Sequence, residues 1–94
     1  MAYQVMISPR ASRQLLAHVE FLSRKSVNAA IRLSSEYKAV IQALRINPFQ
    51  FPVDPHSDLE NPPRVALFAK RYQIYFDIDG PCVYVGAVRD CRQA

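Results

Sequence analysis

Five of the seven prolines in this 94-residue chain fall within residues 47–63, and this proline-rich segment separates two unlike parts of the sequence. Proline lacks the backbone N–H that a helix interior or a central strand requires, so the segment is predicted to be a loop. A loop of this length is uncommon inside a compact domain and is often functional. The chain is long enough for one domain, residues 1–94, in which this loop joins the two parts.

The part before the loop carries the pattern of one short strand and two helices. Residues 3–7 alternate with a period of two, which indicates a strand. Ser8-Pro9 is typical of a helix start, because serine accepts a hydrogen bond from the first turn and proline has no N–H to leave unpaired. Apolar residues at helical spacing then predict a helix ending near Lys25 and a second over residues 26–46. The short connection predicts that the two helices form an antiparallel hairpin.

The part after the loop is predicted to form a three-stranded antiparallel meander. Its strands cover residues 65–69, 72–78 and 82–89, with an Asp-Gly-Pro turn at 79–81 and a turn without glycine near residues 70–71. The element order is therefore β-α-α-β-β-β. This order predicts an α+β fold in which the helices cover one face of the sheet.

Alternation along these strands assigns side chains to faces. In the middle strand, Tyr75 is expected opposite the apolar residues, on the same face as Gln73 and Asp77. This placement makes Tyr75 a candidate for an open functional surface. In the last strand, the alternation predicts one face with Val83, Val85 and Ala87 and the other with Tyr84, Gly86 and Val88.

Charge and composition limit the class of partner. Residues 1–45 hold seven Lys or Arg against two Glu, a net charge of +5, whereas residues 46–94 hold five against six acidic residues, a net charge of −1. A basic half favours acidic partners, either nucleic acid or an acidic protein segment. No apolar run reaches the roughly 20 residues of a spanning helix. We therefore expect a cytoplasmic protein with no membrane partner.

No metal or cofactor is expected from the sequence. His18 and His56 have no partner at metal-ligand spacing, and Asp77 and Asp79 are expected to serve the turn that follows them.

Three segments in order along the chain resemble the RelE/ParE superfamily, the toxins of type II toxin–antitoxin systems. They are residues 7–11 at the end of the first strand, residues 29–33 with 41–44 in the second helix, and Arg64 with residues 71–76 and 85–92 in the closing strands. The resemblance spans nearly the whole chain. It implies a protein that halts growth when free and that a cognate antitoxin protein neutralises, with no small-molecule substrate.

The superfamily has two branches, and the resemblance implies a different target in each. RelE-like members cut mRNA in the ribosome, so the target is the ribosome with its mRNA. ParE-like members poison DNA gyrase and have no agreed catalytic set.

The resemblance also implies which residues would serve each activity. RNA cleavage needs cations to hold the phosphate and a group that donates a proton, which gives a candidate catalytic set of Arg64, Arg71, Tyr75 and Arg89. Binding of either target would use a wider set: Arg64, Lys70, Arg71, Tyr75, Arg89 and Arg92. The alternative for each cation is an exposed charge without a function.

Departures from the family pattern weigh against the nuclease. Asp90 stands where many members carry histidine, and Gln73 stands where arginine is frequent. A carboxylate has the wrong sign to hold a phosphate. We therefore expect a ParE-like toxin that inhibits DNA gyrase by binding and is not an enzyme. The alternatives are a ribosome-dependent endoribonuclease and a degenerate, non-toxic interaction module.

Overall fold

The structure, a computed structural model, describes residues 2–92 of the chain. Its elements in order are strand β1 (Gln4–Ile7), helices α1 (Pro9–Ser23) and α2 (Val27–Ile46), a 3-10 turn (Pro48–Gln50), and strands β2 (Arg64–Phe68), β3 (Tyr72–Asp79) and β4 (Cys82–Asp90). The predicted element order and the α+β class are confirmed.

The four strands form one mixed sheet in the order β1-β4-β3-β2. The meander β2-β3-β4 is antiparallel, as predicted, and β1 pairs in parallel with β4. The first and last strands are therefore neighbours, and β1 and β2 are the edges. Helix α1 packs on β4, and α2 packs on β1 and β2, so both helices cover the same face.

Both helices begin at the serines that the sequence indicates. The Oγ of Ser8 accepts a hydrogen bond from the backbone N–H of Ala11 at 3.0 Å, and the Oγ of Ser26 accepts one from Ala29 at 3.2 Å. Each bond satisfies an N–H that the first helical turn leaves without a partner. Helix α2 ends at Ile46, just before the proline-rich loop, as expected.

The core lies between the helices and the sheet. Its buried side chains are Ala11 of α1, Leu33, Tyr37, Ile41 and Leu44 of α2, and Ala66, Phe68, Tyr72, Ile74, Phe76, Val83, Val85 and Val88 of the sheet. Full burial of one large apolar side chain contributes about 1.5–3 kcal/mol. The alternation predicted for β3 is confirmed, because Tyr72, Ile74 and Phe76 are buried while their neighbours are not.

The alternation predicted for β4 is wrong in its second half. Val88 is buried with Val85, whereas Ala87, predicted on that face, lies on the opposite one. The reason is a β-bulge: Val85 and Ala87 oppose successive residues of β3, which leaves Gly86 without an opposing residue. One extra residue exchanges the two faces of everything that follows it in the strand.

Ser8, which precedes α1, and Gln14 within α1 satisfy the backbone of this bulge. The N–H of Ser8 donates to the carbonyl oxygen of Val85 at 2.9 Å, and its Oγ donates to that of Gly86 at 3.2 Å. The N–H of Val88 donates to Oε1 of Gln14 at 2.7 Å. Strand β1 ends beside Val85, so α1 takes its place along the rest of β4.

The proline-rich loop is attached to β2 and to the core. The carbonyl oxygen of Pro52 accepts from the N–H of Val65 at 2.9 Å, and the ring of Phe51 meets that of Phe76 edge to face, with centroids 6.0 Å apart. The loop therefore covers the beginning of the outer edge of β2.

Candidate functional site

The face of the sheet that the helices leave uncovered is called the open face here. Strand register places on it Gln4 and Met6 of β1, Cys82, Tyr84, Ala87 and Arg89 of β4, Gln73, Tyr75, Asp77 and Asp79 of β3, and Val65 and Leu67 of β2. Side chains that point away from the helices are free to meet a target, so this face is the first place to seek a functional site.

Tyr75 lies near the centre of the open face. Its hydroxyl donates a hydrogen bond to Oε1 of Gln73 at 2.8 Å, and the small side chain of Ala87 faces it across the strand pair. Burial raises the pKa of Tyr75, the negative charge of Asp54 raises it further, and the nearby Arg89 partly offsets both. Tyr75 is therefore protonated at neutral pH and acts as a hydrogen-bond donor, not as a base.

Arg89 lies beside Tyr75 because of the bulge. It faces Gln73 across the β3–β4 pair and is exposed. Without the extra residue at Gly86, Arg89 would point toward the helices and Val88 toward solvent. Of the candidates named from sequence, Tyr75 and Arg89 are the two that the structure brings together on the open face.

Arg71 and Arg92 are instead gathered around Asp90, which is only 8% exposed. The Nε of Arg71 lies 3.8 Å from one carboxylate oxygen, and the Nε of Arg92 lies 3.7 Å from the other. The backbone N–H of Arg92 also donates to Asp90 at 2.9 Å, and the Arg71 guanidinium donates to the Tyr72 hydroxyl at 3.1 Å. Asp90 therefore holds two of the candidate cations at the end of the sheet, on its helix-facing side.

Arg64 also points away from the open face. It stands opposite Phe76, whose side chain is in the core. One guanidinium nitrogen donates to the carbonyl oxygen of Phe51 at 2.7 Å, and the guanidinium lies over the Phe49 ring at 5.1 Å. Arg64 therefore fastens the proline-rich loop to β2. Lys70 is exposed in the β2–β3 turn.

The sequence-derived catalytic set is consequently divided among three places. Tyr75 and Arg89 share the open face, Arg71 belongs to the Asp90 cluster, and Arg64 belongs to the loop. The strands contribute one guanidinium, Arg89, and two carboxylates, Asp77 and Asp79, to the open face. A surface that holds nucleic acid gains affinity from cations that neutralise phosphates. On the open face, by contrast, the strands contribute more carboxylates than cations.

Three residues that sequence reasoning did not select position this site. Gly86 provides the bulge, Gln14 satisfies its backbone, and Asp90 removes two arginines from the open face. A glycine inside a strand pattern is itself an indication of a bulge, so Gly86 had a usable signal. Gln14 had none, because its contact with Val88 joins distant parts of the chain. The sequence marks Asp90 only as a carboxylate where a histidine is expected, and its contact with Arg71 depends on the pairing of β3 with β4.

No group of three or more His, Cys, Asp and Glu residues suited to holding a metal ion occurs within residues 2–92. Over the same range, no helix is both long and apolar enough to cross a membrane. No protein-family model matches this chain, and a search among curated proteins finds no match.

Proposed function

We propose that this protein is the toxin of a type II toxin–antitoxin pair of the RelE/ParE superfamily, and that it inhibits DNA gyrase in the cytoplasm by binding. The resemblance along the chain supports the superfamily. The charge of the open face supports binding over cleavage, since Arg89 stands there against Asp77 and Asp79.

The open face lacks most of the groups that RNA cleavage requires. Cleavage at a 2′-hydroxyl needs a base, an acid for the leaving oxygen and cations around the phosphate. Tyr75 has a raised pKa and is suited only to the acid role. Three arginines were expected to hold the phosphate, and of these only Arg89 lies on the same face as Tyr75. Arg64 is bound to the proline-rich loop and Arg71 to Asp90.

Contact with a protein target suits the same surface better. Tyrosine and arginine are over-represented among the residues that dominate binding energy at interfaces. Tyr75 and Arg89 provide both side chains, and exposed apolar side chains lie elsewhere on the same face, with Met6 at 46%, Leu67 at 58% and Tyr84 at 43% exposure. Aromatic and apolar side chains with an arginine among them are typical of a protein interface.

Induced expression of the chain tests the proposal most directly. Expressed alone, the protein is expected to arrest growth with filamentation and DNA-damage signalling. Co-expression of the adjoining reading frame, as the cognate antitoxin, should prevent this. Rapid loss of translation with intact DNA metabolism would instead establish the ribonuclease alternative, and normal growth would establish the non-toxic module.

A variant of Tyr75 separates binding from catalysis in a purified system. Tyr75→Phe keeps the ring and loses the hydroxyl proton, so inhibition of gyrase supercoiling should change less than about threefold. Arg89→Gln should weaken inhibition roughly tenfold, which corresponds to about 1.4 kcal/mol. Lys38→Gln, on the exposed side of α2, is the matched charge control. A ribonuclease would not inhibit supercoiling, and in a ribosome-dependent mRNA cleavage assay Tyr75→Phe would be the more damaging change.

A further inference from the structure

A pocket of about 240 Å³ lies between the two helices and the β2–β3 turn, on the side of the fold away from the open face. Its walls include the apolar side chains of Leu22, Ala29, Leu33 and Ala69. Leu33 is buried and the other three are partly buried, so the pocket is lined by packed side chains and is still accessible from solvent. A cavity of this size and lining accepts an apolar side chain.

The rim of the pocket is basic. Arg32, Lys70 and Arg71 surround it together with a single carboxylate, that of Glu36. Within residues 2–92, neither Arg32 nor Lys70 has a carboxylate oxygen within 4.0 Å, and Arg71 already shares its charge with Asp90. Glu36, one turn along α2 from Arg32, offsets only part of this charge, so the rim keeps a net positive charge that favours an anionic group between Arg32 and Lys70.

The turn that presents Lys70 is held in an unfavourable backbone conformation. Ala69 and Lys70 have φ values of 49° and 67°, in the left-handed region that glycine adopts most readily. Glycine at position 70 would relieve the part of this strain that lies at Lys70, but would also remove the ammonium group from the rim. Strain of this kind is often found at binding sites, where the side chain retained has a use.

We propose that this pocket binds an acidic peptide segment of a partner protein. A carboxylate of the peptide lies between Arg32 and Lys70, and a neighbouring apolar side chain enters the pocket beside Leu33. The apolar walls disfavour a nucleic-acid backbone, which offers phosphates but no apolar side chain to enter the pocket. The inference goes beyond the toxin proposal and does not depend on it, because the binding can be measured without any target or growth assay.

Selection from a random dodecapeptide phage library tests the proposal, with counter-selection against the Arg32→Gln/Lys70→Gln double variant. The recovered peptides should pair Asp or Glu with Leu, Ile or Phe at adjacent positions. A fluorescently labelled copy of the best peptide should bind five- to tenfold more weakly to each single variant, Arg32→Gln and Lys70→Gly, and equally well to Lys38→Gln. Displacement of that peptide by single-stranded RNA, recovery of peptides without an acidic residue, or failure to recover any peptide would overturn the proposal.

Lys70→Gly provides a control against simple loss of structure. Because the variant relieves the strained turn, its Tm should rise by roughly 2–6 °C while peptide affinity falls. Lys70→Asn should behave in the same way, since asparagine also tolerates the left-handed region. Weaker binding accompanied by a lower Tm in both variants would show that Lys70 has only a structural role and would contradict the proposal.

Discussion

The two faces of the sheet are built on the same strands but hold different kinds of residue. On the helix-facing side of β3 and β4, the side chains that are at most 1% exposed are Ile74, Phe76, Val83, Val85 and Val88. On the open side of the same strands, the alternating positions are occupied by Gln73, Tyr75, Asp77, Tyr84 and Arg89. The first face provides the burial that stabilises the fold, whereas the second is free to carry contacts with a target.

The bulge at Gly86 shows that the two faces are not independent. It turns Val88 inward and Arg89 outward, and α1 supplies the polar groups that the interrupted pairing lacks. A residue of α1 far from the open face, Gln14, therefore helps to determine which side chains stand beside Tyr75. We therefore expect substitutions on the two faces, and at the contacts that join them, to change the free energy of unfolding by different amounts.

The largest expected effect is the truncation of Phe76 on the helix-facing side. Phe76→Ala leaves a cavity between the helices and the sheet, and we expect a loss of about 3–5 kcal/mol in the free energy of unfolding. Tyr75→Ala, one position along on the open face, should cost about 1 kcal/mol. Urea denaturation of both variants measures the difference. Equal losses would contradict the division between a stabilising face and a free face.

A smaller effect is expected at the contact between α1 and the bulge. In Gln14→Ala, the N–H of the buried Val88 loses its acceptor, which should cost about 1–3 kcal/mol. Gln42→Ala on the exposed side of α2 is the matched control and should cost less than about 0.5 kcal/mol. An unchanged stability of Gln14→Ala would show that α1 does not stabilise the bulge.

Much of the helix-facing side could be predicted from sequence because each part of it depends on neighbouring residues. The period of two in β3 and the serines before each helix are local patterns, and both are confirmed. The open face depends on register, which is not local. A one-residue difference in register exchanges the two faces of a strand, so the bulge places Ala87 and Val88 on the faces opposite to those predicted. Pairing with Phe76 likewise places Arg64 on the helix-facing side.

Neutralisation of Asp90 should give an effect of intermediate size at the end of the sheet. Asp90→Asn removes the charge that holds Arg71 and Arg92 while keeping the shape of the side chain. Because Asp90 is buried and Arg92 is largely exposed, the loss should be about 1–2 kcal/mol, below that of a fully buried ion pair. Asp58→Asn, in the exposed loop, is the control and should be neutral in the same urea titration. A neutral Asp90→Asn would mean that the two arginines are held by other contacts.

The smallest expected effect is a difference between two tyrosine pKa values, one on each side of the sheet. Burial raises the pKa of Tyr37 in the core, whereas on the open face burial of Tyr75 is supplemented by the charge of Asp54. Both pKa values lie above the ordinary value of about 10, so the unfolded chain loses these protons first. Stability contributed by these two groups is therefore complete below about pH 10 and is lost as pH rises through the folded-state pKa values.

Salt should separate the two tyrosines. In 1 M NaCl, screening weakens both the raising influence of Asp54 and the smaller, lowering influence of Arg89, so the pKa of Tyr75 should fall slightly and stay above its ordinary value because burial is its largest cause. The pKa of Tyr37 should stay unchanged, because burial is its cause. Absorbance titration at low and high salt, with Tyr37→Phe and Tyr75→Phe to assign the two transitions, measures both values. A salt-dependent pKa of Tyr37 would show that burial is not its cause. A pKa of Tyr75 that rises with salt would show that Asp54 does not outweigh Arg89 in acting on it.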